Sequence, residues 1–205
     1  MQKQRLGFNI VLLGQIAAGK DTQAEILMNK YALKPVESGK FSRKLLKAKG
    51  PDGDWARRTI GKGTAAPMPL IKKFLASEIE KKPKNKDLLF QGNPRLKPEA
   101  QLLKKLLAEK KQDFMGIYIT LPDKEIYRRS LSRKSSNVSE LFKAFDEKKL
   151  IAKRIKWHKD QVSKSVAYFA SLNKMKKING MQSIEQVTAD IEKAIQAHKN
   201  KIAIR

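Results

Sequence analysis

The chain has 205 residues, of which 40% are hydrophobic, and this length suits one ordinary α/β domain with an insertion. It contains no cysteine and two histidines, so disulfides, zinc–cysteine sites and a thiol nucleophile are excluded and a histidine metal cluster is not expected. The formal charge of +25 comes from lysines scattered along the whole chain, which favours a lysine-coated surface over a dedicated site for a polyanion. No segment approaches the roughly 18 apolar residues of a membrane span, and the apolar run after the basic N-terminus is too short for a signal peptide. A cytoplasmic protein is therefore expected.

Apolar runs alternate with amphipathic stretches along the chain. Four runs predict strands: FNIVLLG, DLLFQG, FMGIYITL and KMKKING. Four stretches have apolar residues at helical spacing: TQAEILMNKY, PLIKKFLASEIEKK, PEAQLLKKLLAEKK and SIEQVTADIEKAIQAH. Pro98 and Ser183 stand at predicted helix starts, where first-turn and cap residues belong. The stretch 50–69, with four glycines and three prolines, predicts a loop-rich insertion around a short helix. Strands separated by helices indicate parallel pairing and the α/β class.

The segment GQIAAGK, from Gly14 to Lys20, matches the phosphate-loop pattern G-x-x-x-x-G-K. It follows a predicted strand and opens a predicted helix, which is the context that the pattern needs. In such a loop, successive backbone N–H groups and the helix N-terminus hold phosphate oxygens, and Lys20 would add a mobile positive charge. An ordinary strand-to-helix turn with a chance Gly-Lys pair is the lesser alternative. Asp21 stands where the generic pattern has the Ser or Thr that contacts Mg²⁺, and Thr22 follows it.

The segment GKDTQAEILMNKY resembles the G-K-G-T-Q-A run of adenylate kinases and related nucleoside monophosphate kinases. Five further segments resemble landmarks of the same family in the same order: SGKFSRKLL, LLFQGNPRLKPEAQ, YITLPDKEIYRRSLSR, AKRIKWHKDQVSKSVAYF and INGMQSIEQV. The first of these resembles T-G-D-x-x-R, and the second resembles L-L-D-G-F-P-R-x-x-x-Q-A. The resemblance covers nearly the whole chain, and its strength lies in the order and spacing of six motifs.

The resemblance implies a P-loop kinase three-layer fold with a five-stranded parallel sheet, in one domain spanning residues 1–205. The expected parts of this domain are a core at 1–42, 87–133 and 151–205, a helical monophosphate-binding insertion at about 43–86 and a short lid at about 134–150. A monomer is expected, with ATP and a nucleoside monophosphate as its ligands and Mg²⁺ as the cofactor. We expect neither a specific nucleic-acid partner nor a membrane partner.

The resemblance also implies the reaction, which is transfer of the γ-phosphoryl group of ATP to a nucleoside monophosphate. This chemistry needs in-line positioning and positive charge around the moving group, and arginine suits it because its planar fork pairs two phosphate oxygens. By motif position, the catalytic cations would be Lys20, Arg95, Arg133 and Arg154. The ATP site would comprise Gly14, Ala17, Ala18, Gly19, Lys20, Asp21, Thr22, Arg129, Gly180, Met181 and Gln182. The monophosphate site would comprise Ser38, Gly39, Arg43, Ala66, Gly92, Arg95, Glu99 and Gln101.

The implied roles differ among these residues. Arg43 and Arg95 would hold the phosphate of the monophosphate, and Arg133 and Arg154 would clamp the transferring group. Arg129 would lie against the ATP base. In so basic a chain, any one arginine taken alone could be a solvated surface cation.

The sequence departs from the family pattern around the metal. Lys40 and Gln91 replace the aspartates of T-G-D and D-G-F-P-R, and Asp21 replaces the glycine after Lys20. Mg²⁺ prefers hard oxygen ligands, so Asp21 could supply the carboxylate that the other two positions have lost. Alternatively, the site is degraded and Asp21 captures Lys20. The sequence leaves these two hypotheses equal.

Glu99 stands where the family has the glutamine that reads the acceptor base. An ionised carboxylate only accepts hydrogen bonds, which favours guanine over adenine at this position. Gln101 could read the base instead, and Glu99 could be a solvated first-turn carboxylate favoured by the helix dipole. AMP is the first expectation by resemblance and GMP the next.

Two hypotheses of other kinds stay open. One is a catalytically weak homologue that serves as a nucleotide-sensing or RNA-associated binding protein. The other is a different small-molecule phosphate-loop kinase, which the QGNPR segment does not fit.

Overall fold

The computed structural model describes residues 3–60, 65–132 and 148–203. Five strands pair in parallel in one sheet, in the order β2-β3-β1-β4-β5. The strands are β1 (Asn9–Gly14), β2 (Leu33–Glu37), β3 (Asp87–Gln91), β4 (Phe114–Thr120) and β5 (Met175–Asn179). The predicted α/β fold with a five-stranded parallel sheet is confirmed.

Helices connect these strands. In chain order they are α1 (Lys20–Lys30), α2 (Ser38–Lys47), α3 (Pro51–Thr59), α4 (Met68–Glu80), α5 (Lys97–Glu109), α6 (Asp123–Ser132), α7 (Lys148–Trp157), α8 (Ser163–Ser171) and α9 (Ile184–Ala203). A π-helical turn, His158–Val162, joins α7 to α8. Pro98 lies in the first turn of α5, and the Ser183 hydroxyl accepts the Gln186 backbone N–H at 3.2 Å, as predicted for helix starts. Among the described helices, none is long and apolar enough to cross a membrane.

The hydrophobic core lies on both faces of the sheet, because helices cover both sides of a parallel sheet. Ile10 and Leu12 of β1 point into a cluster with residues of α1 and α9, whereas Val11 and Leu13 point into a cluster with residues of α4, α5 and α8. All four side chains are at most 2% exposed. The central strand β1 is therefore fixed on both faces, and the loop that follows it starts from a rigid base.

Strand β2 is the element that the apolar pattern does not predict. Its sequence, LKPVE, contains two charged residues and Pro35, which cannot donate to a strand ladder. The strand lies at the edge of the sheet, where proline is tolerated. Only Leu33 and Val36 of this strand are buried, so the apolar signal is too short to recognise.

Candidate functional site

The loop Gly14–Lys20 joins β1 to α1 at the carboxyl edge of the sheet. Ala17 and Gly19 have left-handed backbone conformations, with φ of 58° and 80°, and such turns direct successive N–H groups into one concavity. Gly14 has to be a glycine, because a Cβ there would lie 2.9 Å from the Ile119 carbonyl oxygen. The Gln15 backbone N–H donates to that same carbonyl at 3.2 Å. The loop is thus anchored to the end of β4 and has the form of an anion cradle.

Lys20 lies across the opening of its own loop. Its ammonium donates to the carbonyl oxygens of Gly14 at 3.0 Å and Gln15 at 2.8 Å. The side chain is half-buried, and these two carbonyls satisfy donors of its ammonium. A phosphate group in the cradle would offer the ammonium a charged acceptor, and hydrogen bonds between two ions are the stronger kind. The geometry therefore suits a lysine that exchanges carbonyl oxygens for phosphate oxygens.

A histidine contacts the same loop from the π-helical turn. The His158 Nε2 lies 3.2 Å from the Gly14 carbonyl oxygen, and its ring stacks on Tyr118 with centroids 6.0 Å apart and planes 12° apart. Burial and the positive charges of Lys20 and Arg95 together lower the pKa of His158 to about 4, against an opposing effect of the Gly14 carbonyl. The imidazole is therefore neutral at physiological pH. The sequence did not single out this residue, because the contact spans 144 positions and depends on a π turn.

The segment after β3 forms the neighbouring wall of the site. The Arg95 Nε donates to the Gly92 carbonyl at 2.9 Å, and the Ser38 hydroxyl donates to the same oxygen at 2.9 Å. Gly92 has φ of 68°, a conformation that favours glycine. Gly39 and Arg43 are adjacent on α2, since a Cβ on Gly39 would lie 3.5 Å from the Arg43 guanidinium. The structure thus brings together the predicted group Ser38, Gly92 and Arg95.

Glu99 is not the solvated first-turn carboxylate that one of the sequence hypotheses describes. Its side chain is only 2% exposed, which rules out a solvated carboxylate. Its Oε2 accepts the Arg95 backbone N–H at 2.7 Å, the Asn93 side-chain amide at 3.1 Å and the Leu96 backbone N–H at 3.4 Å. One oxygen of the carboxylate therefore holds its own loop and the start of its helix. Gln101, on the same helix, is exposed.

The predicted contacts to the ATP base lie between α6 and the segment after β5. The Arg129 guanidinium donates to the Gly180 carbonyl at 3.1 Å and to Glu125 at 2.6 Å. Arg128 and Arg129 together lower the pKa of Glu125 to about 2. Met181 is 49% exposed beside them. Arg129 and Gly180, which the sequence assigned separately to this part of the site, are therefore in direct contact.

Ala66, Gln182, Arg133 and Arg154 are further residues of the predicted site. Ala66 is half-buried ahead of α4, and Gln182 donates to Asp190 at 3.2 Å. Arg133 lies outside the described residues, as does the predicted lid apart from the start of α7. Arg154 lies within α7, but its side chain is not described.

The described residues supply only some of the ligands that a divalent cation needs. Within the described ranges, no three His, Asp or Glu side chains form a ready-made metal site. Asp21 and Thr22 are exposed in the first turn of α1, and Gln91 ends β3. Mg²⁺ usually binds through one or two carboxylates together with substrate phosphates and water. One carboxylate beside a phosphate cradle fits this mode of binding.

Comparisons with known proteins agree with this geometry. The family model for adenylate kinase matches residues 12–174. The chain is 31% identical over 188 residues to an adenylate kinase of Bacteroides fragilis, with 91% of this chain and 97% of that protein covered. It is 31% identical over 189 residues to an adenylate kinase of Parabacteroides distasonis, with 91% and 97% covered. An adenylate kinase of Fusobacterium nucleatum is 26% identical over 209 residues, with 93% and 99% covered. The chain therefore belongs to the adenylate kinase family of nucleoside monophosphate kinases.

Proposed function

We propose that this chain catalyses the reversible transfer of the γ-phosphoryl group of ATP to AMP. The observation that carries the proposal is the proximity of two cations from two different loops. Lys20 ends the loop after β1, Arg95 lies in the segment after β3, and the Gly92 backbone N–H of that segment donates to the Leu12 carbonyl of β1 at 3.5 Å. The two loops leave neighbouring strands, since Leu12 of β1 is in register with Gln91 of β3. Positive charge from two sides of one cleft suits two phosphate-bearing substrates.

In this mechanism the protein mainly positions its substrates and neutralises charge. The phosphate-loop N–H groups bind the ATP phosphates, and Lys20 moves from the Gly14 and Gln15 carbonyls to the β- and γ-phosphates. Arg95 binds the acceptor phosphate, and Gly92 and Ser38 orient its loop. Mg²⁺, when bound with ATP, would neutralise charge on the β- and γ-phosphate oxygens, with Asp21 as its protein ligand. Helices α2 to α4 would form the monophosphate-binding insertion.

AMP is proposed as the acceptor on the strength of the family. The argument for GMP required a Glu99 carboxylate that faces the acceptor base, and the buried position of Glu99 removes that support. The exposed Gln101 remains a candidate for contact with the base. We therefore keep AMP ahead of GMP as the proposed acceptor.

A coupled assay of ADP formation tests the proposal directly. MgATP is supplied with AMP, GMP, CMP, UMP or dAMP, and we expect acceptor-dependent ADP formation that is fastest with AMP. Lys20→Ala should abolish nearly all of this activity. Lys193→Ala, which removes an exposed lysine of α9, is the control for loss of one positive charge. Folded protein that forms no ADP with any of these acceptors would refute the proposal.

A further inference from the structure

One peptide unit at the start of the phosphate loop is held from both ends. The Gln15 N–H donates to the Ile119 carbonyl at 3.2 Å, and the Gly14 carbonyl of the same peptide accepts from Lys20 at 3.0 Å and faces the His158 Nε2 at 3.2 Å. The orientation of this peptide sets the direction in which the following N–H groups of the loop point. Its two ends are held by β4 and by the segment that joins α7 to α8.

We propose that His158 is a positioning residue of the ATP site, which donates its Nε2–H to the Gly14 carbonyl and holds that peptide in place when Lys20 moves to the triphosphate. This inference rests on the proposed function, because the movement of Lys20 is part of that mechanism. If His158 did not donate to the Gly14 carbonyl, the movement of Lys20 to the triphosphate would leave this oxygen without a hydrogen bond beside the phosphate site. Such an oxygen repels phosphate and is costly to leave unsatisfied.

The surroundings of His158 fix its ring and its protonation state. A carbonyl oxygen only accepts hydrogen bonds, so Nε2 must carry the proton in this contact. The ring stacks on Tyr118 of β4, the strand to which the loop is anchored. Burial and the positive charges of Lys20 and Arg95 lower its pKa to about 4. A neutral Nε2–H tautomer satisfies the carbonyl and adds no further charge.

The π turn explains how a residue of a long helix reaches the loop. The Ser163 backbone N–H donates to the His158 carbonyl, which is the five-residue spacing of a π-helix. A turn of this kind shifts the residues before it relative to those after it, so α7 and α8 present different faces to the sheet. Isolated π turns in α-helices are frequently found at functional sites.

Two variants whose side chains have similar lengths, one with an N–H donor and one without, test the role of the His158 Nε2–H. His158→Gln places an amide N–H at about the reach of Nε2, whereas His158→Met has a similar length and no N–H donor. We expect the Met variant to raise the Kd for ATP and the KM for MgATP about tenfold, from the loss of one hydrogen bond. The Gln variant should stay within about threefold of the parent, and kcat and the KM for AMP should change little in either variant.

Direct ATP binding, measured by calorimetry, separates this inference from the proposed function because it requires no turnover. A parent that binds ATP but forms no ADP would refute the proposed function and still leave the Gln and Met variants to be compared. Equal ATP affinity in the Met variant and the parent, or in the Met and Gln variants, would overturn the role of His158. If the Met variant does not fold, His158→Phe, which keeps a ring to stack on Tyr118, is compared with Gln instead. The ¹⁵N shifts of the ring at pH 7 should show a neutral Nε2–H tautomer, and an Nδ1–H tautomer would contradict the inference.

Discussion

Replacement of the buried Glu99 carboxylate tests whether this residue holds the segment before α5 in place. Glu99→Ala removes the acceptor of two good hydrogen bonds, from the Arg95 backbone N–H at 2.7 Å and the Asn93 amide at 3.1 Å. Each buried donor left unsatisfied costs about 1–3 kcal/mol, so for two donors we expect the free energy of unfolding to fall by about 2–6 kcal/mol. Glu99→Gln keeps an oxygen acceptor and should stay within about 1 kcal/mol of the parent at pH 7.

The pKa of Glu99 determines how the stability of the parent, relative to that of Glu99→Gln, depends on pH. Burial raises this pKa above its ordinary value of 4.5, although the Arg95 and Leu96 N–H groups and the Arg95 charge oppose the rise. The folded state therefore holds the proton more tightly than the unfolded chain. The stabilisation from this proton is complete below pH 4.5 and is lost as pH rises through the folded pKa. Since glutamine does not titrate, Glu99→Gln should gain stability relative to the parent as the pH rises from below 4.5 through the folded pKa of Glu99.

Urea denaturation of the parent, Glu99→Ala and Glu99→Gln at several pH values measures both effects. Glu109→Ala, which removes an exposed carboxylate at the end of the same helix, is the control and should change stability by less than about 0.5 kcal/mol. A Glu99→Ala protein as stable as the parent would show that the three N–H contacts contribute nothing. In kinetic assays, Glu99→Gln should leave the ratio of kcat/KM for AMP and GMP unchanged within about twofold. A shift of that ratio toward AMP would restore the idea that position 99 reads the base.

Four further predictions concern the charged groups of the site. Lys20→Ala should lower kcat/KM for MgATP at least about a hundredfold without a change in Tm, and unchanged turnover would remove the phosphate-loop assignment. Arg95→Ala should lower kcat/KM for AMP at least about a hundredfold, and Arg95→Lys should recover only part of it because the bidentate fork is lost. Asp21→Gly should raise the Mg²⁺ concentration for half-maximal rate several-fold, and adding Gln91→Asp should reverse this; a faster Asp21→Gly enzyme at every Mg²⁺ level would identify Asp21 as an impediment. Any binding of RNA should be weak and collapse with added salt, and sequence-selective binding at physiological salt would contradict this.

The local sequence predicts the strands that have long runs of apolar residues. Strands β1 and β4 are long and almost wholly buried, so their apolar runs are unmistakable. The phosphate loop is also local, because its glycines, its lysine and the flanking strand and helix lie within one short segment. Strand β2 was not predicted because Pro35 and two charged residues interrupt the apolar pattern of this short edge strand.

The parts of the site that the sequence misplaced depend on contacts that no local pattern reveals. Glu99 resembled a residue open to the substrate or to solvent, and its true surroundings depend on how the Asn93–Leu96 loop folds back over the start of α5. His158 gave no signal, because its role depends on a helix distant in sequence and on a local π turn. Arg129 and Gly180 are in direct contact, and the sequence placed both in the predicted ATP site only because the family motifs order them.

Two residues after β3 depart from the family pattern, with Asn93 at the phenylalanine of D-G-F-P-R and Glu99 at the glutamine that reads the base. Their contacts argue against random decay of this segment. A glutamate introduced alone at a buried position would carry an uncompensated charge, which costs several kcal/mol. Here the Asn93 side chain, which replaces the family's phenylalanine, donates directly to that glutamate. The Arg95 backbone N–H donates to the same oxygen, and the Arg95 side chain is held in turn by the Gly92 carbonyl. The substituted residues thus form one hydrogen-bonded unit that ends at the arginine proposed to bind the acceptor phosphate, which is the arrangement expected of an altered site that still binds its substrate.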